Sequence, residues 1–490
     1  MTNVPIGISG FSAYVPPYRV RLDHWCEWTG NSWDKTRSVI GHAFRVAGAE
    51  QSVYTMAANA VLKLILDHGV DPRRVGYIAI GTESGTDNAT SGALIARGLV
   101  DQALIARGMP ALARDCEVPE FKQACLGAVY GIKGALRFLA VDGGNRAAIV
   151  IASDIAEYAR GSTGEPTQGA GAVAMLLESN PKLLEIDLRA AGSASSYRAL
   201  DFRKPFLRFC GQTPGRDGRP RDFPVFNGKY STACYIDEVL SALDAMFAKR
   251  SSSRAGYFRE LEAVFMHRPY HRMPVASWTL GYLFALGADG GRAHEELAQY
   301  CATAKIDLQK VLAEMKSSPD LISRALTGDL VDEPYPLSAQ LVKVFKDTPI
   351  YKQIVEAKMK LGASVMMELG NLYSAALPGW LGAGLEEAAR TNVKLDGRDL
   401  LIIGYGSGDA ADALPARVVP GWQASALKID MQSVLAGVVD LNREQYEALH
   451  DGREAPGLKP AGRGFVVERI GERDDPKFQD LGVEYYAYVD

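Results

Sequence analysis

The chain has 490 residues, 47% of them apolar, and a formal net charge of −4. That length and apolar content build a large core and place the chain in the folded class. The acidic balance excludes a general nucleic-acid binder, which carries a strongly basic surface. No apolar stretch is expected to reach the roughly 18 residues that would suggest a membrane span. Met1 to Gly10 lacks the charged start and apolar run of a secretory signal.

Six cysteines, Cys26, Cys116, Cys125, Cys210, Cys234 and Cys301, form no CxxC and no zinc-like spacing to histidine. Reduced thiols in a cytoplasmic protein are the expectation, with no metal and no disulfide scaffold.

In chain order, short β-branched runs alternate with helical stretches, the pattern of an α/β protein. A helix is expected over Ser52–Asp67, then a buried strand over Val75–Gly81 ending at Thr82-Glu83. A helix over about Ala124–Val141 precedes strands over Ala147–Ala152 and Ala172–Leu177. The arginine-rich stretch Gly211 to Phe223 is expected to be a surface loop. A strand over Ala263–Met266 ends at His267. The charged, helix-like segment from about 275 to 345 is expected to be an insertion or lid on the main fold. A helix over Met359–Leu377 and a strand over Leu400–Gly404, followed by a second strand through ALPARVV, complete the pattern.

Several of these strands end in a small residue followed by a polar one. Strand ends on one edge of an α/β sheet are where ligands bind, so these positions are the candidates for chemistry. Cys125, in KQACLGAVYG, would sit at a helix N-terminus if the helix begins at Ala124. The helix dipole there lowers a thiol pKa, and Gly127 and Ala128 would leave room for a substrate. Against this stands the common fate of a free cysteine, packing as a small hydrophobe. His267 is either a satisfied core histidine or a catalytic one. His271 four residues on suggests a metal pair, but Pro269 interrupts the helical spacing and no HExxH is present. Glu83 is either a turn carboxylate or a general acid/base. GYGSGDA (Gly404 to Ala410) has Asp409 where a dinucleotide loop needs its last glycine, and a strand follows instead of a helix. Its glycines fit better with backbone N–H groups approaching a ligand oxygen.

Taken together, IGISGFSAYVP, IGTESGTDNATS, QACLG, ASDIAEYARGSTGEPTQGAGAVAMLL, DFRKP, FNGKYSTACY, FMHRPY, GNLYSAALP and YGSG resemble, in order, the 3-hydroxy-3-methylglutaryl-CoA synthase family. The resemblance implies the thiolase fold: two similar α/β halves, residues 1–185 and 186–490, in an α-β-α-β-α layered core, with the helical insertion in the second half. It implies a Claisen-type condensation of acetyl-CoA with acetoacetyl-CoA followed by hydrolysis. Cys125 would carry the acetyl group, Glu83 would act as general acid/base, and His267, partnered by Asn371, would bind the acceptor carbonyl. The N–H groups of Cys125 and Ser407 would hold the thioester oxygen, and Tyr158, Asp154 and Asp201 would shape the site. Arg272, Arg268 and Lys204 would meet coenzyme A phosphates. No metal or redox cofactor, no nucleic acid and no membrane is implied, and a homodimer is expected by analogy.

Three positions depart from the mevalonate-pathway pattern. Leu126 replaces an aromatic residue, Gln123 replaces asparagine, and Arg272 replaces lysine. QAC and EPTQGAGAVAM look more like the relatives that install β-branches on polyketides, in which acyl carrier proteins replace coenzyme A; Leu126 is then expected to help widen an acceptor tunnel. A non-catalytic thioester-binding subunit is the reading from another class, and the presence of Cys125, Glu83, His267 and Asn371 together opposes it.

Overall fold

The computed structural model describes residues 4–204, 223–460 and 462–489. Cys210, Pro205 and all but the last residue of the Gly211 to Phe223 stretch lie outside the described residues. The main elements are β1 (Ile6–Tyr14), α1 (Val53–His68), β2 (Val75–Gly81), α2 (Gly92–Ala106), β3 (Glu120–Phe121), α3 (Gly127–Val141), β4 (Ala147–Ala156), β5 (Gly169–Ser179), β6 (Leu184–Ile186), β7 (Gly192–Ser195) and α4 (Gly228–Phe247). There follow β8 (Ala263–Met266), α5 (Arg272–Asp289), α6 (Arg292–Ala304), α7 (Leu308–Met315), α8 (Pro336–Lys346), α9 (Ala376–Arg390), β9 (Asp399–Gly406) and β10 (Ala410–Val418).

The ten strands form one sheet in the order β8-β9-β10-β6-β1-β5-β4-β2-β3, with β7 paired to β10. A pairing pattern repeats along it. β2 runs parallel to β4, β4 antiparallel to β5, and β5 antiparallel to β1. Likewise β8 runs parallel to β9, β9 antiparallel to β10, and β10 antiparallel to β6. Parallel neighbours are buried on both faces, so β2 and β8 are apolar and covered throughout.

Helices fill the layers that this arrangement leaves. α1 covers β1, β4 and β5 from outside, and α4 covers β7 and β10. α3 and α9 lie between: α3 packs on β2 and β4, while α9 reaches both Phe11 of β1 and Phe265 of β8. This is the layered thiolase-like α/β fold. The central position of α3 explains its composition. Ala124–Val141 is long and apolar enough to cross a membrane by length and composition, with mean hydropathy 1.4, contrary to the expectation that no segment would be. Leu126, Ala128, Val129, Ala135 and Leu136 are instead fully buried in the protein core.

Two expected elements differ. The helix expected over Met359–Leu377 is broken, because Gly362 and Gly370 take φ of +70° and +78° and Tyr373 takes +46°. Only Ala363–Met366 and a turn at Tyr373–Ala375 are helical before α9 begins. The 275–345 segment is helical as expected, but α5 is not a lid. Trp278 stacks on Phe258 at 4.1 Å, and Leu297, Tyr300, Leu341 and Phe345 from α6 and α8 join the same buried cluster.

Candidate active site

The nucleophile candidate sits in a tight turn, not in a helix. α3 begins at Gly127 with Leu126 as its N-cap, so Cys125 precedes the helix. Gln123 and Leu126 close the turn by a Leu126 N–H to Gln123 O hydrogen bond of 2.9 Å. Ala124 takes φ +43°, a left-handed conformation that costs a non-glycine residue energy and is found where function demands it. The turn presents the half-buried Cys125 thiol to Glu83, with Sγ 3.8 Å from Oε1.

The surroundings push the Cys125 thiol well above its usual pKa. Burial is the main cause, with the Glu83 and Asp154 carboxylates adding to it and Lys204 opposing. The expected depression by a helix dipole is therefore overturned: the thiol stands just outside the helix and beside negative charge. It rests protonated and needs a base to act.

The small residues around Cys125 also serve a different purpose from the one expected. A Cβ on Gly81 would lie 2.0 Å from Ala128 N, and one on Gly127 would lie 2.6 Å from Phe121 O. These positions let β2 and α3 touch backbone to backbone, leaving no space there for a substrate. From β9, Gly404 makes room for the Leu126 and Val129 side chains, and Gly406 lets the backbone of the Cys125 turn approach. A Cβ on Gly406 would lie 2.2 Å from Gln123 O and 2.9 Å from Leu126 N. This packing sets the Ser407 turn, which joins β9 to β10, against the Cys125 turn. The β9–β10 hairpin provides no helix for a dinucleotide loop. Leu126 is fully buried against Gly404 and Gly406, so it lines no acceptor tunnel.

Glu83 is placed by Asp154, which lies beneath it on β4. Asp154 Oδ1 accepts from Thr82 Oγ1 at 2.8 Å, from Glu83 N–H at 2.8 Å and from Ser84 Oγ at 2.9 Å. Its other oxygen accepts from Ser374 N–H at 2.9 Å and from the Ser374 hydroxyl. Asp154 is fully buried, and each of these bonds favours its ionised form while burial raises its pKa. It positions Glu83 and does not face the site.

His267 follows β8 and is 1% exposed. Its backbone is fixed by the N–H to Ile403 O bond of 2.8 Å and by the Tyr235 hydroxyl donating to its carbonyl at 2.8 Å. The ring lies parallel to Tyr405, with centroids 6.5 Å apart. Burial lowers its pKa to about 3, so the imidazole is neutral. The expected pairing with Asn371 is not formed: Asn371 Oδ1 accepts from Tyr373 N–H at 2.9 Å, and His267 Nδ1 has no partner among the described residues. Asn371 instead stands beside the Tyr158 hydroxyl.

Tyr158 packs with Cys125, Phe202, Phe226 and Tyr373 in one cluster, as expected of a wall. Asp201 lies behind the Ser407 turn, where its Oδ2 accepts from Gly408 N–H at 3.1 Å and stands 3.0 Å from the Tyr405 hydroxyl oxygen.

The three expected phosphate contacts separate. Arg268 is 4% exposed, lies over the Trp380 ring at 5.2 Å and bonds His271 Nδ1 at 2.9 Å, so it is a core residue with no access to phosphate. That bond also removes His271 from any metal pair with His267. Lys204 donates to Glu83 O at 3.1 Å and lies 5.0 Å over the Tyr373 ring, which makes it an active-site cation. Arg272 alone is exposed, at the start of α5, where its charge reaches Lys346. Among the described residues the group suited to a metal is Asp201, Cys234 and Asp409, all buried. The Arg198 guanidinium already lies 3.1 Å from Asp409, supplying positive charge there.

Tyr373 was not singled out from the sequence. Its ring is 1% exposed, its hydroxyl has no partner among the described residues, and it faces Tyr158, Glu83 and Cys125 electrostatically. The only sequence signal was its place in GNLY; its strained φ arises from tertiary packing.

Known proteins resemble this chain over most of its length. The model "Hydroxymethylglutaryl-coenzyme A synthase N terminal" matches residues 3–182, and the corresponding C-terminal model matches residues 218–456. The hydroxymethylglutaryl-CoA synthase of Haloferax volcanii is 26% identical over 420 residues, covering 85% of this chain and 84% of that protein. The Enterococcus faecalis enzyme is 25% identical over 446 residues, covering 91% of each. Among solved structures, MvaS in complex with 3-hydroxy-3-methylglutaryl coenzyme A superposes over 100% of both chains with a TM-score of 0.76 at 24% identity. The curacin-pathway HMG synthase in complex with acetyl donor-ACP covers 99% of this chain and 100% of its own, with a TM-score of 0.69 at 18% identity. The two family models together span most of the sequence, and the chain belongs to the hydroxymethylglutaryl-coenzyme A synthase family.

Proposed function

We propose that this chain is a hydroxymethylglutaryl-CoA synthase that takes an acetyl group from acetyl-CoA onto Cys125 and condenses it with acetoacetyl-CoA. The observation that carries the reading is the Cys125 thiol 3.8 Å from the Glu83 carboxylate, in a turn packed against the Ser407 turn.

The chemistry follows from the placements. Glu83 accepts the thiol proton as Cys125 attacks the thioester carbonyl, and passes it to the departing sulfur, so that coenzyme A leaves as its thiol and Glu83 is again a carboxylate. Glu83 then removes a proton from the methyl of acetyl-Cys125. The developing enolate oxygen needs donors, and the N–H groups of Cys125 and Ser407 are the candidates. The enolate carbon attacks the ketone of acetoacetyl-CoA, beside which neutral His267 serves as a hydrogen-bond donor, and Glu83 returns the methyl proton to the alkoxide that forms there. Water then cleaves the Cys125 thioester. Exposed Arg272 is retained as a phosphate contact; Arg268 and Lys204 are not. No step needs a metal or redox group, and we infer a homodimer acting in the cytoplasm.

The test is the intact mass of the protein after brief exposure to acetyl-CoA, with Cys125→Ser as control, followed by addition of acetoacetyl-CoA. One acetyl group absent from the control, then release of hydroxymethylglutaryl-CoA, is expected. Acetylation only from an acetylated carrier protein would move the assignment to polyketide β-branching, a reading favoured by Gln123 and the QAC motif. No acetylation from either donor would leave a thioester-binding subunit.

A further inference from the structure

We propose that Arg198 is a positioning residue: its buried guanidinium holds the Ser407–Asp409 turn in place and ties that turn, through Asp237 and Tyr335, to the start of α8. Arg198 is 4% exposed and lies just beyond β7. Its backbone N–H donates to Gly408 O at 3.1 Å, and the neighbouring Ser196 exchanges two backbone hydrogen bonds with Asp409, of 2.7 and 3.1 Å. Its side chain then reaches in two directions. Nη1 donates to Asp409 Oδ2 at 3.1 Å and to Cys234 O at 3.3 Å, and Nη2 donates to Asp237 on α4. Glu238 Oε2 is 3.0 Å from Nη1.

The chain of contacts continues at both ends. Asp409 Oδ1 accepts from the Tyr405 hydroxyl at 2.8 Å, and the same hydroxyl reaches Asp201, which holds Gly408 N–H. At the far end Asp237 Oδ1 accepts from the Tyr335 hydroxyl at 2.6 Å, immediately before α8. Every side chain in this path is buried. A fork-shaped cation suits the position because two carboxylates on separate elements must be held at once, which a lysine ammonium cannot do in the same geometry. Ser407 lies between Tyr405 and Gly408, both held by this network, so its N–H direction is fixed from behind while Gly406 fixes it from the Cys125 side.

This inference rests on the proposed function, because it assigns the turn a role in holding the thioester oxygen. Arg198→Lys keeps the charge and loses the fork. Tyr335→Phe removes one hydrogen bond at the remote end and keeps the fold intact should Arg198→Lys fail to accumulate. The rate constant for Cys125 acetylation, normalised to the fraction of protein that can be acetylated, is expected to fall about tenfold or more in Arg198→Lys. In Tyr335→Phe it is expected to fall about two- to fivefold, with KM for acetyl-CoA changed less than about twofold in either variant. Amide hydrogen exchange over residues 405–410 is expected to quicken in both. Unchanged acetylation constants and unchanged exchange in that segment, even with a lowered Tm, would overturn the proposal and leave Arg198 as packing alone. If the parent protein accepts no acetyl group, the proposed function fails, while the exchange measurement still decides what Arg198 holds.

Discussion

The Cys125 Sγ lies 3.8 Å from Glu83 Oε1, and the carboxylate is one reason that the thiol stays protonated. One charge thus serves twice: the carboxylate that prevents a resting thiolate is the group that takes the proton when substrate arrives. Replacing Glu83 should separate these effects. In Glu83→Gln the Cys125 thiolate is expected to appear at a lower pH than in the parent, because one negative neighbour is gone. In Lys204→Met it should appear at a higher pH, because the opposing cation is lost. Thiolate absorbance against pH, with Cys125→Ser subtracted, reads both shifts. Both variants should lose condensation activity, Glu83→Gln by about 100-fold or more. A thiol titration identical in all three proteins would show that the carboxylate does not reach the sulfur.

Gly406→Ala tests the contact between the two turns. Its Cβ would lie 2.2 Å from Gln123 O, a backbone atom, so the Cys125 and Ser407 turns must part. Overpacking of this kind costs about 1–3 kcal/mol of stability. A lost oxyanion contact costs about 100-fold in kcat. Thermal unfolding and the acetylation rate measure the two separately, and full activity would show that the turns need not touch.

Burial lowers the His267 pKa to about 3 and that of His271 to about 4. Both rings are neutral in the folded protein at pH 7, while the unfolded chain titrates them near the usual 6.5. Between the folded and unfolded values the unfolded chain binds more protons, so stability is complete above about pH 6.5 and is lost as pH falls. At pH 5, His267 alone should account for about 2 kcal/mol of that loss. Denaturant unfolding of parent and His267→Asn at pH 7 and 5 checks this, with a smaller pH dependence expected in the variant. The pH dependence of kcat/KM should show no limb near 6.5 from His267.

Tyr373→Phe removes a buried hydroxyl that has no partner among the described residues. An unpaired buried hydroxyl contributes nothing to folding, so Tm should hold or rise slightly. If the hydroxyl serves the reaction, kcat should fall about tenfold at constant Tm. Equal kcat in parent and variant would assign Tyr373 to the wall of the site alone.

The primary structure by itself determined most of the secondary structure on which the site rests. The strands Val75–Gly81 and Ala263–Met266 end where their composition places them, because buried parallel strands are continuous apolar runs. The helix Val53–His68 starts after the Ser52 cap. Glu83, His267 and Ser407 were legible for the same reason, since each follows a run whose apolar length dictates where the backbone emerges from the sheet, whereas Cys125 was legible as a lone thiol just ahead of the apolar helix Gly127–Val141.

Only the tertiary structure decided what their neighbours do. Gly127 beside Cys125 and Gly406 beside Ser407 read as room for a ligand, yet the space at each is filled by another segment's backbone. Arg268 and Lys204 read as phosphate contacts, yet one is roofed by Trp380 and the other bonds the Glu83 carbonyl. Nothing in the local sequence marks Arg198, since its partners are up to 211 positions away. Local sequence sets propensity and periodicity, which act over a few residues. Burial, and with it the direction of every pKa shift in the site, depends on which distant segments the sheet brings to one edge.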